Sequence, residues 1–192
     1  MKILLATHNK GKVEEFQAAL KPYDVQIISA EEANIDEPEE TGKTFHENAE
    51  LKARAAFEAT GLPALADDSG LCVNALGGDP GIYSARWAGP DRDFKLAMEK
   101  VNDKLGDSAD RSGAFVCVLA YIDETGQCRF FEGRVEGTLV WPPRGLDGFG
   151  YDPFFMPDDR GGETFGEMDF DLKQKLSHRA RALENFIEGQ NL

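Results

Sequence analysis

Leu62-Pro63-Ala64-Leu65-Ala66-Asp67-Asp68-Ser69-Gly70-Leu71-Cys72-Val73 is the stretch on which the fold turns. Residues 62–66 read as a short buried strand and residues 71–73 resume the apolar pattern, which places the acid pair at a strand end before a glycine turn. Aspartate and serine cap backbone N–H groups in turns, and Asp-Asp-Ser-Gly fits one. If the extended backbone instead continues through the pair, Asp67 and Asp68 point to opposite faces, and only one of them faces a given ligand. Two adjacent carboxylates beside an apolar run are poorly explained by packing. The stretch alone therefore leaves turn chemistry and a functional site both open.

Composition sets the bounds. A chain of 192 residues suits one domain with at most a small lobe, and 41% hydrophobic with 29% charged residues is ordinary globular composition. A formal net charge of −14 repels polyanions, which argues against a nucleic-acid backbone as partner. A small phosphorylated ligand stays compatible where basic residues cluster and a divalent cation intervenes. Cys72, Cys117 and Cys128 are odd in number and widely spaced, so they are expected as reduced core thiols of a cytosolic protein. Four apolar residues after Lys2 are too few for a signal peptide, and the longest apolar run, residues 114–122, is far short of the ~20 residues a membrane span needs. The expected location is cytoplasmic, with no membrane partner.

Outward from the acid pair, strands and helices alternate. Residues 2–6 read as a buried strand, and Val13, Phe16 and Leu20 share one face of a helix. The polar turn between them, Thr7-His8-Asn9-Lys10-Gly11-Lys12, suits a phosphate because helix-opening N–H groups point at an anion. It lacks Walker A spacing and any GxGxxG fingerprint, and taken alone the segment favours a capped strand-helix turn with two solvated lysines. Residues 25–28 form a second strand, followed by an acid-rich connector. Thr44-Phe45-His46-Glu47 is a capping box that opens a helix closed by Gly61 and Pro63. Its stripe of Ala49, Ala53 and Ala56 permits close approach to a sheet, carrying Asn48 and Lys52 toward the strand ends.

Beyond the pair, residues 77–89 form a glycine-punctuated loop and residues 91–105 an amphipathic helix. Residues 114–122, 128–135 and 138–141 read as strands, the first central and the second half-exposed, with turns at residues 123–126 and 136–137. Phe149, between glycines in Asp147-Gly148-Phe149-Gly150-Tyr151-Asp152, is placed to stack on a planar ligand. Residues 156–171 read as an acidic loop able to act as a mobile flap, and a last helix opens at Lys173 with much basic charge.

Taken together, Thr7-His8-Asn9-Lys10-Gly11-Lys12, Glu39-Glu40-Thr41-Gly42, Thr44-Phe45, Asn48-Ala49 to Lys52-Ala53, Asp67-Asp68-Ser69-Gly70-Leu71, Gly81-Ile82-Tyr83-Ser84-Ala85-Arg86, Phe149-Gly150-Tyr151-Asp152-Pro153 and Ser177-His178-Arg179 resemble the successive motifs of the inosine triphosphate pyrophosphatase family. The match runs in order from the first strand to the last helix. The resemblance implies a single ITPase-like α/β domain over residues 1–192, with a long mixed β-sheet flanked by helices, two lobes with a central cleft, and a homodimer. It implies hydrolysis of ITP, dITP and XTP to the monophosphate and pyrophosphate with Mg²⁺. Asp68 is similar to the family's catalytic base and also lies at the metal with Glu40. Thr7, His8, Asn9, Lys10, Gly11 and Lys12 would hold the triphosphate, with Ser69 and Lys52 close by. Phe149, Gly150, Tyr151, Asp152, Lys173, His178 and Arg179 would hold the base and complete the pocket. His8 with Lys10 departs mildly from many relatives, in a position that bears on phosphate affinity.

The implied chemistry is coherent. Attack on a triphosphate builds negative charge that lysines and Mg²⁺ stabilise, and an aspartate beside the metal accepts the proton of water. Donors on His178 and Arg179 would face the 6-keto oxygen of inosine and xanthine, where adenine presents an amino group. Two alternatives stand against this reading. A Maf-like pyrophosphatase of different base selectivity is disfavoured by the Ser177-His178-Arg179 and Phe149 to Asp152 segments, and a non-catalytic nucleotide sensor by the presence of Glu40, Asp67 and Asp68 together.

Overall fold

The computed structural model describes residues 1–158 and 161–192. Six strands form one mixed sheet in the order β2-β1-β3-β4-β5-β6: β1 (Lys2–Leu5), β2 (Gln26–Ser29), β3 (Ala64–Val73), β4 (Ser112–Ile122), β5 (Cys128–Leu139) and β6 (Phe155–Pro157). β1 runs parallel to β2, with Lys2 opposite Gln26, and parallel to β3, with Leu4 opposite Ala64. β6 is antiparallel to β5, with Gly137 opposite Pro157. The chain divides into two compact units: Met1–Asp68, Cys117–Gly133 and Arg179–Leu192 in the first, Ser69–Val116 and Arg134–His178 in the second.

In the first unit the all-apolar run of β1 is covered on both faces, as a parallel strand requires. Helix α1 (Lys10–Leu20) buries Phe16 and Leu20 against Ile3, Leu5 and Leu65, and α6 (His178–Gln190) adds Leu183 and Phe186. Helix α2 (Phe45–Thr60) starts where the capping box put it: the Thr44 side chain accepts from Glu47 N, and Gly61 closes the helix at φ +69°. Ala49, Ala53 and Ala56 are fully buried, since a stripe without long side chains lets the helix lie close on its neighbours.

The second unit is built on rings. Phe115 lies 4.5 Å from Phe155 and 6.0 Å from Phe165, in one cluster with Leu71, Val101 and Phe154. Helices α3 (Ser84–Trp87), α4 (Phe94–Leu105) and α5 (Phe170–Leu176) complete it.

Three expectations are corrected. β3 does not break at the acid pair, so Asp67 and Asp68 lie in mid-strand. Gly70 makes no turn: a Cβ there would stand 2.2 Å from the Gly81 carbonyl oxygen and 2.6 Å from Ser84 Oγ, the group that accepts from Leu71 N at 2.9 Å. β5 likewise runs unbroken through residues 136–137, where a Cβ on Gly137 would meet the Met156 carbonyl oxygen at 2.5 Å. Both glycines serve close approach of other chain segments within a strand. The stretch expected as a flap, residues 156–171, supplies β6 and the buried Thr164, Phe165 and Met168, while positions 159–160 of that expectation lie outside the described residues.

The final helix is two helices. Ser177, with ψ of 159°, separates α5 from α6. The three cysteines are free, and burial followed by the charge of Asp67 pushes the Cys117 thiol up to about 12. No helix among the described residues is long and apolar enough to cross a membrane.

Candidate active site

The alternation of side chains along β3 separates the acid pair into two environments. Asp67 receives Lys12 Nζ at 2.7 Å and lies 3.6 Å from Arg179 Nε. Burial by itself would raise this carboxyl, but Lys12, Arg179 and Lys52 outweigh it and hold Asp67 well below the usual carboxylate range. Arg179 also pairs with Glu15 of α1, so the guanidinium is committed to two carboxylates in the first unit.

Asp68 meets the opposite set. Asn48 Nδ2 donates to its Oδ2 at 3.2 Å, and Lys52 Nζ lies 3.8 Å from Oδ1 and 2.6 Å from Glu40 Oε1. Burial pushes Asp68 up to about 6, with Lys52 lowering and Glu40 raising it. A carboxyl poised there can hold or release a proton near neutral pH. Burial by itself would lower the Lys52 ammonium, yet Asp67, Asp68 and Glu40 raise it above its ordinary value and keep it charged. Asn48 is oriented from behind, because its Oδ1 accepts Gly42 N at 2.8 Å and a Cβ on Gly42 would stand 2.5 Å from that oxygen. The amide NH₂ is thereby left to Asp68.

The turn at Thr7 leads into this cluster. α1 opens at Lys10, earlier than the apolar spacing implied, and Asn9 caps it by accepting Lys12 N at 3.3 Å. Asn9 N donates to the buried Thr7 Oγ1, also at 3.3 Å. Gly11 is half-buried and Lys10 exposed. His8 Nε2 bonds the Ile35 carbonyl at 3.0 Å, and His8 and Lys52 both line a cavity of about 270 Å³ with Ala6, Ala30 and Ala56. Ser69 follows Asp68 in β3 and is half-buried.

Of the residues expected at the base, Arg179 lies in the first unit against Glu15 and Asp67, while Phe149, Asp152 and Lys173 form a group in the second. Asp152 is its hub, accepting Phe149 N at 2.7 Å and Lys173 Nζ at 2.8 Å on the same oxygen. Lys173 Nζ stands 4.3 Å from the centroid of the partly exposed Phe149 ring. The chain turns tightly at Gly148 and Gly150, both at positive φ, and a Cβ on Gly148 would reach within 2.2 Å of Asp152 Oδ2. Tyr151 is buried, donating its hydroxyl to the Ser84 carbonyl at 2.8 Å. The His178 ring stacks on Phe115 at 4.8 Å and 14°.

A family model described as the Ham1 family matches residues 3–189. The chain belongs to the Ham1 family. This Ham1-family chain is 50% identical to a dITP/XTP pyrophosphatase of Gluconobacter oxydans (strain 621H), over 97% of its own length and 89% of the relative's. Among solved structures it resembles a HAM1 protein from Coxiella burnetii, with a TM-score of 0.92 and 40% identity over 100% of this chain and 98% of that one. It also resembles the nucleoside-triphosphatase / dITP/XTP pyrophosphatase from Mycobacterium abscessus, with a TM-score of 0.80 and 38% identity over 97% and 99% of the two chains.

Three site contributors of the Ham1-family chain escaped sequence reasoning. Glu15 carried no reading of its own in the sequence, and its only signal is its place one turn after Lys12. Asn48 was read as carried toward the strands without a partner, and Gly42 was read only within a motif. Asp67, which the sequence placed opposite Asp68 only if the strand continued, is a buried counter-charge to Lys12 and Arg179.

Proposed function

We propose that this protein hydrolyses the non-standard purine nucleoside triphosphates ITP, dITP and XTP to the monophosphate and pyrophosphate, in a Mg²⁺-dependent reaction. The observation that carries the reading is the half-buried Glu40 and the buried Asp68 with the Lys52 ammonium drawn to both, beside a helix-opening turn bearing Lys12. The names of the relatives support the same substrate class.

The donor set fits magnesium. Glu40 and Asp68 are hard oxygen ligands, and the Lys52 ammonium lying 2.6 Å from Glu40 Oε1 and 3.8 Å from Asp68 Oδ1 supports the reading of a cation site there. Magnesium is commonly held by one or two carboxylates, with water and substrate phosphates completing its shell, a role Glu40 and Asp68 could fill. When bound, magnesium supplies charge neutralisation on the phosphates and acidifies water. Asp68 accepts the proton of the water that attacks the α-phosphorus, the Pα–O bond to the leaving group breaks, and the electron pair departs on pyrophosphate. Lys12 and Lys52 stabilise the charge developing on the phosphate oxygens. Asn48 keeps Asp68 aimed.

At the base end, Phe149 offers a ring face, Lys173 a cation above it and His178 a ring nitrogen donor to a 6-keto oxygen. A homodimer and a cytoplasmic location belong to the same reading. The deciding experiment incubates purified protein and Mg²⁺ with a nucleotide panel. Release of dIMP and pyrophosphate from dITP is expected; dIDP and inorganic phosphate would overturn the reaction assigned.

A further inference from the structure

We propose that Glu15 is a positioning residue for Lys12, acting through Arg179 and Asp67, and that this buried chain of charges sets the grip on the β- and γ-phosphates. The inference rests on the phosphate role given to Lys12 above. Glu15 and Lys12 lie three residues apart on α1 and so share a face. Glu15 faces the Arg179 guanidinium, Arg179 Nε lies 3.6 Å from Asp67 Oδ2, and the same oxygen holds Lys12 Nζ at 2.7 Å. Charges alternate along the series, minus, plus, minus, plus, and sum to zero.

Burial makes the arrangement informative. Glu15 is 3% exposed, Arg179 2% and Asp67 1%, whereas the Lys12 side chain retains 16%. A buried carboxylate is costly without a partner, and a negative charge one turn from a phosphate-binding helix start opposes the ligand unless it is neutralised. Arg179 neutralises it. In return Glu15 draws the guanidinium toward itself, which leaves Arg179 Nε beyond hydrogen-bonding distance of the oxygen on which Lys12 docks. With Glu15 uncharged, the guanidinium closes on Asp67, two cations share one carboxylate, and Lys12, the least buried of the four, loses its fixed position.

The test is a double-mutant cycle of Glu15→Gln with Lys12→Met in the full chain, measuring the affinity for inorganic tripolyphosphate and for dIMP by calorimetry with Mg²⁺, alongside dITP kinetics. Glu15→Gln is expected to weaken tripolyphosphate binding and raise the KM for dITP about tenfold, with kcat changed less and dIMP affinity within about twofold. The double variant is expected to bind tripolyphosphate no more weakly than Lys12→Met alone. Equal losses for dIMP and tripolyphosphate, or additive losses in the cycle, would overturn the proposal. Should Glu15→Gln fail to fold by circular dichroism, Glu15→Asp, which keeps the charge but shortens its reach, carries the same cycle. Wild-type protein that leaves dITP intact would refute the proposed function, while the tripolyphosphate cycle still decides the role of Glu15.

Discussion

The two units differ in the charge they bury. Beside its apolar core the first sinks Glu15, Lys52, Asp67, Asp68 and Arg179 out of solvent, whereas the second buries Phe115, Tyr151, Phe154, Phe155 and Phe165 together and, among its described residues, pairs the buried Asp152 with Lys173. On the proposed function, the difference would answer two recognition problems. A triphosphate with its cation demands fixed charge in a low dielectric, where each interaction is strong and each unpaired group costly. A purine demands flat apolar surface with few directed polar groups. Each unit is thus expected to fail in its own way when disturbed.

Asp68→Asn should produce the largest effect on chemistry, a fall in kcat of about 10²–10⁴-fold, because it removes the proton acceptor. Pyrophosphate release and equilibrium nucleotide binding, measured side by side, check this. Near-normal turnover would move the base role elsewhere in the first unit. Asp152→Ala probes the second unit and should destabilise the protein by about 3–5 kcal/mol, leaving Lys173 buried without this carboxylate and Phe149 N without its acceptor. Urea unfolding measures it, and a loss below about 1 kcal/mol would show that the hub is not structural.

The next effect follows from linkage. The folded-state value of Asp68 lies above its unfolded value, so the folded protein binds the extra proton and metal-free stability falls as pH rises from about 4 to about 6. Asp67 has the opposite sign: its contribution is present above the unfolded value and is lost only as pH falls through its depressed folded value. Metal-free Asp68→Asn should therefore be more stable than wild type at pH 7, by on the order of 2–3 kcal/mol, with the gap closing toward pH 4. Unfolding curves across that range test the sign, and a gap independent of pH would contradict it. The smallest effect is Phe149→Ala, which should raise the KM for ITP about tenfold through loss of stacking while kcat and tripolyphosphate affinity change little. Equal weakening of tripolyphosphate binding would dissolve the division of labour between the units.

Local signals carried over well into the structure. The capping box at Thr44 and the stop at Gly61 depend on neighbours within a turn, and α2 obeys them, although Glu47 Oε2 takes Lys43 N rather than Thr44 N. The split of the acid pair also held, because alternation along a strand is a property of the backbone. What sequence reasoning missed is long-range. Gly70 and Gly137 looked like turns because the segments that need their missing side chains, Ser84 and β6, are distant in the chain. Arg179 looked like a reader of the base, yet its guanidinium meets Glu15, which lies 164 residues away.

Sequence by itself determined β1, α1, β2, α2 and α4, that charge is concentrated at Asp67 and Asp68, and that the two face apart if the strand runs through them, since propensity, capping and side-chain alternation act over a few residues. Only the tertiary structure decided which carboxylate is held ionised by Lys12 and Arg179 and which is raised beside Glu40. That choice depends on burial and on charges brought together from α1, α2, β3 and α6, and a local pattern holds neither.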